Sequence, residues 1–170
     1  MSKRIIPVLY LALILFFVLP CPALGWSGKV VGVADGDTIT VLRDKQPQKI
    51  RLYGIDCPEK RQPFGNRAKQ FTSELVFRKV VEVEPITVDR YGRTVAFVQV
   101  EKVLVNETLI SDGLAWVFPR YCIDAVCDKW LGLQAVAKSG KQGLWQDSNV
   151  IPPWEFRKNR KRDATTALIR

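Results

Sequence analysis

Residues 51–59, Arg-Leu-Tyr-Gly-Ile-Asp-Cys-Pro-Glu, put three groups able to do acid–base or phosphate chemistry close together: Arg51, Asp56 and Glu59. One carboxylate can hold a hard cation through oxygen, the other can take a proton, and the guanidinium can pair with a phosphate in a fork. An ordinary charged surface turn would use the same residue types, so support has to come from elsewhere in the chain. Asp35 and Asp37 form a second carboxylate pair around Gly36, and Asp89-Arg90-Tyr91-Gly92-Arg93 is a third charged group. The chain contains no histidine. That removes Ser-His-Asp and Cys-His hydrolysis, HExxH zinc chemistry and every histidine-based nuclease. Hydrolysis here must use carboxylates, arginines and, if a metal takes part, a hard one.

The elements that must position these residues read mostly as strands. Ile50, Leu52 and Gly54 alternate with Arg51, Tyr53 and Ile55, the period of a strand with two unlike faces, and Pro58 should close it into a turn. Upstream, 27–35 carries Val30, Val31 and Val33, Asp35-Gly36-Asp37 is a hairpin signal, and 38–42 alternates Thr with Ile and Val. With the turn at 44–48 these make a three-stranded meander. Ala68, Phe71, Leu75 and Val76 predict a helix over 65–79. Strands follow at 80–88, interrupted by Pro85, and at 94–100; short helices follow at 104–111, stopped by Gly113, and at 128–139, with Gly140 beyond. Five short strands with helices between and after them predict a mainly β fold with α elements. Its architecture is a five-stranded OB-type Greek-key barrel with about three helices.

Residues 1–25 read as a signal peptide: Lys3 and Arg4, a nearly continuous apolar run over 5–19, then Ala23-Leu24-Gly25. About fifteen apolar residues fall short of the roughly 20 of a bilayer span. The expectation is a secreted or periplasmic protein; an uncleaved N-terminal anchor, giving a basic surface protein, is the competing reading. Residues 26–150 form one domain, and 151–170 a basic C-terminal tail, solvated and mobile, with the run Arg157-Lys158-Asn159-Arg160-Lys161-Arg162. Removing Lys3 and Arg4 from the 26 basic residues leaves 24 against 17 acidic, a net of +7, which favours anionic partners such as nucleic acid. Cys57, Cys122 and Cys127 remain after the signal. Cys122 and Cys127 close a short loop and would pair in an oxidising compartment; a zinc site is the rival, but it wants four ligands and finds no histidine. Cys57 is left unpaired, without an imidazole to activate it.

The order Asp35-Gly-Asp37-Thr38, Arg51-Leu-x-x-Ile-Asp56-x-Pro58-Glu59, Asp89-Arg-Tyr91-Gly92-Arg93 resembles the thermonuclease, or staphylococcal-nuclease-like, family. Val105-Asn106-Glu107, Gly113-Leu114-Ala115 and Gly143-Leu144-Trp145 extend the likeness over about residues 28–147. The resemblance implies an OB-type barrel with three helices and a calcium-dependent endonuclease. Such an enzyme cleaves DNA and RNA with little sequence preference and leaves 3′-phosphates. It further implies that Asp37, Asp56 and the backbone carbonyl of Cys57 bind calcium, with Asp35 behind them. Glu59 would act on the attacking water, and Arg51 and Arg93 would clamp the phosphate. Arg90 and Tyr91 would contact a neighbouring phosphate, and Tyr121 would stack on a base. Cys57 stands where threonine is often found, and Pro119 where the best-known member has a base-contacting tyrosine. A monomer with DNA and RNA as substrates is expected, with no stable membrane partner once the signal is cleaved. The alternative is a non-catalytic nucleic-acid-binding OB module, since degenerate relatives lose carboxylates or arginines that this chain retains.

Overall fold

The computed structural model describes residues 25–168. The signal peptide expected over 1–25 therefore lies outside the described residues, apart from Gly25. Strand β1 (Trp26–Asp35) pairs antiparallel with β2 (Thr38–Arg43), and β2 with β3 (Gln46–Leu52). On its other edge β1 pairs with β5 (Val80–Val88), which pairs with β6 (Thr94–Val100). Strand β6 then runs parallel to β3, with Ile50 opposite Thr94 and Leu52 opposite Ala96, and so closes a five-stranded barrel. Closure leaves no long open edge among these five strands. The barrel interior is filled by β-branched and small residues, among them Val30, Ile39, Val41, Ile50, Val83, Ala96 and Val98, all fully buried.

The turns differ from expectation where the physics is local. The third strand does not run on to Pro58. It breaks at Gly54, whose φ of +70° is left-handed, and resumes as β4 (Ile55–Asp56), paired with β8 (Trp116–Val117). A Cβ at Gly54 would lie 2.9 Å from both Cys122 Sγ and the Trp130 ring, so glycine is demanded by conformation and by space. Tyr53 and Ile55, on the face shared with Arg51 in the alternating pattern, are buried, as are Ile50 and Leu52. Pro85 is accommodated in β5 beside a register shift between Pro85 and Thr87, where a missing N–H costs the ladder least. Helix α1 (Gly65–Val76) stops three residues early, at an extended Phe77 and a left-handed Arg78.

A two-residue strand β7 (Val103–Leu104) leads into α2 (Val105–Ser111), and α3 (Val126–Ser139) begins two residues earlier than expected. The motifs Gly113-Leu114-Ala115 and Gly143-Leu144-Trp145 meet backbone to backbone: the Leu144 N–H donates to the Gly113 carbonyl at 2.8 Å. Cys122 and Cys127 are joined by a disulfide, and Cys57 is a buried free thiol. Among the described residues there are four α-helices rather than about three. The fourth, α4 (Pro153–Leu168), takes up most of the segment expected to be a mobile tail. Pro153 at its first position is pre-set for helical φ and gives up an N–H that would have no partner there. No helix among the described residues is long and apolar enough to cross a membrane.

Candidate active site

Four loop segments, around 35–37, 51–59, 87–93 and 118–121, and one helix converge on a cleft of ≈ 710 Å³ at one end of the barrel. Gly36 and Asp37 form the two-residue link between β1 and β2, and this tight hairpin turns the Asp37 carboxylate inward, 4 % exposed. Gly36 is held by close packing: a Cβ there would come within 2.8 Å of Ala68, and of Cβ and Sγ of Cys57. The Thr72 hydroxyl donates to its carbonyl at 2.6 Å and ties the hairpin to α1. Asp35 accepts the Asp37 N–H at 3.2 Å, from behind the carboxylate it orients.

Arg51 leaves the end of β3 and spans the two buried aspartates. Its Nη1 pairs with Asp37 Oδ1, and its Nη2 donates to Asp56 Oδ1 at 2.8 Å and to the Ile55 carbonyl at 3.1 Å. The other Asp37 oxygen accepts the Cys57 N–H at 2.6 Å. One guanidinium thus holds two carboxylates from separate turns face to face, in the bidentate geometry a lysine lacks. Burial, the largest influence, pushes the Cys57 thiol well above its usual range; the Arg51 charge opposes this, and Asp35 and Asp56 reinforce it. Its side chain therefore stays neutral.

Glu59 follows Pro58 on the loop before α1, half-buried at the cleft edge. Its N–H donates to Gln62 Oε1 at 3.2 Å, and its carbonyl accepts the Gln62 N–H at 2.8 Å. A Cβ on Gly65 would collide with that carbonyl, so α1 can start this close only on glycine. Across the cleft, Arg93 is braced by Asp89, which accepts the Arg93 Nε–H at 2.7 Å, the Arg93 N–H at 3.0 Å and the Tyr91 N–H at 2.9 Å. Burial alone would raise the Asp89 carboxyl, but these hydrogen bonds and the Arg93 charge outweigh it and hold it below its usual value. Arg90 lies over the ring of Tyr91 and donates to its hydroxyl at 2.7 Å, both exposed on the rim. Tyr121, also exposed, packs edge-on against Phe118 at 4.8 Å.

Every residue singled out in the sequence lines this cleft: Asp37, Arg51, Asp56, Cys57, Glu59, Arg90, Tyr91, Arg93 and Tyr121. Among the other lining residues, Arg157, Phe118 and Asp89 were given no role in the sequence. Arg157, read as part of a solvated basic run, reaches in from α4 and donates to Asp56 Oδ2 at 2.7 Å, Asp56 Oδ1 at 3.2 Å and Glu59 Oε1 at 2.7 Å. Burial alone would lower the Arg157 guanidinium, but hydrogen bonds and charge from Asp56 and Glu59 prevail and raise it. Phe118 lines the cleft where Pro119 does not; Pro119 faces a separate hollow beside the disulfide. Asp89, noted only as part of a charged turn, braces Arg93. A signal for Arg157 was available: Pro-Pro-Trp opens a helix, and three residues on from Trp154 an arginine shares its face.

The oxygen donors here suit a hard cation in type. The two buried carboxylates of Asp37 and Asp56 offer oxygen ligands. Guanidinium groups now take up their lone pairs, and among the described residues no group of three or more His, Cys, Asp or Glu side chains stands arranged as a complete shell. A cation bound here would draw on the Asp37 and Asp56 carboxylates and complete its shell from other oxygens.

Residues 49–147 match the family described as Staphylococcal nuclease homologue. Among curated proteins, the chain is 42 % identical to Protein ParB of Escherichia coli over 147 residues, 80 % of this chain and 82 % of the relative. It is 37 % identical to a Micrococcal nuclease of Shigella flexneri over 145 residues, 80 % of this chain and 83 % of that one. An Uncharacterized endonuclease of Escherichia coli O157:H7 is 39 % identical over 150 residues, 87 % of this chain and 96 % of the relative. With the barrel and the matching order of acidic and basic motifs, these relations mean that the chain belongs to the staphylococcal nuclease family.

Proposed function

We propose that this protein is an exported, calcium-dependent endonuclease that hydrolyses phosphodiester bonds in DNA and RNA with little sequence preference, leaving 3′-phosphates. The observation carrying this reading is the convergence of Asp37, Asp56, Glu59, Arg51 and Arg93, from separate turns, on one cleft. In this reading Asp37, Asp56 and the Cys57 carbonyl hold calcium, which supplies positive charge against the phosphate oxygens. Glu59, half-exposed at the edge, takes the proton of the attacking water. Arg51 and Arg93 face the phosphate from two sides and offset the charge that grows on its oxygens as the fifth bond to phosphorus forms. Arg90 and Tyr91 on the rim meet the adjoining backbone, and Tyr121 offers a face on which a base stacks without regard to sequence. The basic surface draws the polyanion in, and the protein acts as a monomer.

The test is cleavage of DNA and of RNA by the purified protein, with calcium and with chelator, for wild type and Glu59→Ala. Glu59→Ala should lose about 10²–10⁴-fold in rate with an unchanged circular dichroism spectrum. Equal rates in the two proteins would remove Glu59 from its role. Cleavage surviving excess chelator would remove the metal from Asp37 and Asp56. Salt-sensitive binding without cleavage, with calcium present, would make the protein a binding module instead.

A further inference from the structure

Arg157 reaches the cleft from α4, not from the barrel, and bonds both oxygens of Asp56 while also bonding Glu59. Asp56 is 1 % exposed, so its oxygens have few other partners to turn to. A divalent cation and the Arg157 guanidinium would compete for the same lone pairs. The water-activating role proposed for Glu59 is likewise blocked while its Oε1 accepts from Arg157.

Three further contacts make this a docked arrangement rather than a chance ion pair. Trp154, three residues earlier and on the same helix face, stacks flat on Phe118, with centroids 4.8 Å apart and planes 2° from parallel. It also meets Trp116 edge-on at 5.8 Å. Gln62 Nε2 donates to the Ile151 carbonyl at 2.5 Å just before the helix, and the same side chain accepts the Glu59 N–H. The helix is thus registered against the loop that carries Glu59. Arg157 and Glu59 stay partly open to water, with side chains 39 % and 33 % exposed, so this ion pair can exchange.

We propose that α4 is an autoinhibitory latch: docked, Arg157 takes the cation's place on Asp56 and occupies Glu59, while Trp154 covers Phe118. Calcium binding and helix docking then exclude each other. This rests on the calcium reading given above. A latch docked about nine-tenths of the time weakens apparent calcium affinity about tenfold.

The test is calorimetric titration of calcium into wild type, Arg157→Gln and Trp154→Ala, with amide hydrogen exchange followed across residues 153–162. Trp154→Ala keeps the Arg157 charge, so a gain there cannot come from deleting a positive charge. Both variants should bind calcium about tenfold more tightly than wild type, and in wild type α4 should lose protection as calcium saturates. Equal affinities with α4 protection unchanged would overturn the latch and leave the calcium reading standing. Tighter binding by Arg157→Gln alone would reduce the effect to simple charge removal and would equally overturn it. Failure of all three proteins to bind calcium would remove the calcium reading and the latch together.

Discussion

Asn106 is the residue through which the fold reaches the site, and replacing it tests that link directly. It is fully buried. Its Oδ1 accepts the Val98 N–H at 3.1 Å, and its Nδ2 donates to the Tyr53 carbonyl at 3.0 Å and, more weakly, to the Ala96 carbonyl at 3.4 Å. Tyr53 directly precedes the Gly54 break, so this one amide fixes the turn between the strand carrying Arg51 and the bridge carrying Asp56. Asn106→Ala strips a buried N–H and a buried carbonyl of this partner where water has little access. At about 1–3 kcal/mol for each of the two groups left unsatisfied, the loss should be about 2–6 kcal/mol. That is a large share of the roughly 5–15 kcal/mol of a typical domain. Urea unfolding gives the number, and nuclease assays on the folded fraction give the consequence. The rate should fall because Arg51 no longer spans both aspartates, though Asn106 touches neither substrate nor metal. A loss below about 1 kcal/mol would show that backbone contacts alone hold the turn, as surface substitutions typically cost no more than half that. Asn106 would then be only a core residue.

Gly36→Ala should destabilise by about 1–3 kcal/mol in the same urea assay, because the new methyl comes within 2.8 Å of Ala68 and Cys57; an unchanged midpoint would refute the packing account of this turn. Asp89 governs an acid limb of stability. Its folded value lies below its unfolded one, so its contribution is complete above the unfolded value, about pH 4, and is lost as pH falls through the lowered folded value. Asp89→Asn should therefore cost about 1 kcal/mol at neutral pH, with the gap to wild type closing in strong acid. A gap constant across that range would mean that the Asp89 charge contributes nothing.

What the sequence disclosed follows from how local each signal is. The strands at 80–88 and 94–100 are runs of apolar and β-branched residues, and their alternation survives because one face lines a closed barrel. Asp37 and Asp56 were legible as candidates because each stands at a tight turn or strand end within a short charged motif, and the order of those motifs could be read along the chain. The Gly54 break was not, since a glycine inside an alternating run fits a strand until its neighbours in space are known; here these are Cys122 and Trp130, far along the chain. Arg157 was hidden for a related reason. In a run of six residues with five cations, composition points to a solvated segment, and only the docking of Trp154 on Phe118 selects which of them enters the cleft.

That selection alters what the cleft can attract. With α4 docked, the carboxylates of Asp37, Asp56 and Glu59 face the guanidinium groups of Arg51 and Arg157, a formal excess of one negative charge, while Asp89 and Arg93 cancel each other. A phosphodiester, itself an anion, meets repulsion at the point where it would react. With a divalent cation in place of Arg157 the same groups balance to zero, and the phosphate no longer works against the field. A single exchange on Asp56 would therefore free Glu59 and neutralise the cleft at once, although the exposed rim of Arg90 and Tyr91 stays as it was. Raising the salt concentration should blunt the second effect, which is a field screened over about 10 Å at 0.1 M, and leave the first intact, because Glu59 either has its oxygen free or does not. Salt titrations of substrate binding at saturating calcium, in wild type and Arg157→Gln, test where Arg157 acts once it has left Asp56: parallel curves are expected there, and divergence would place Arg157 on the substrate rather than on the carboxylates.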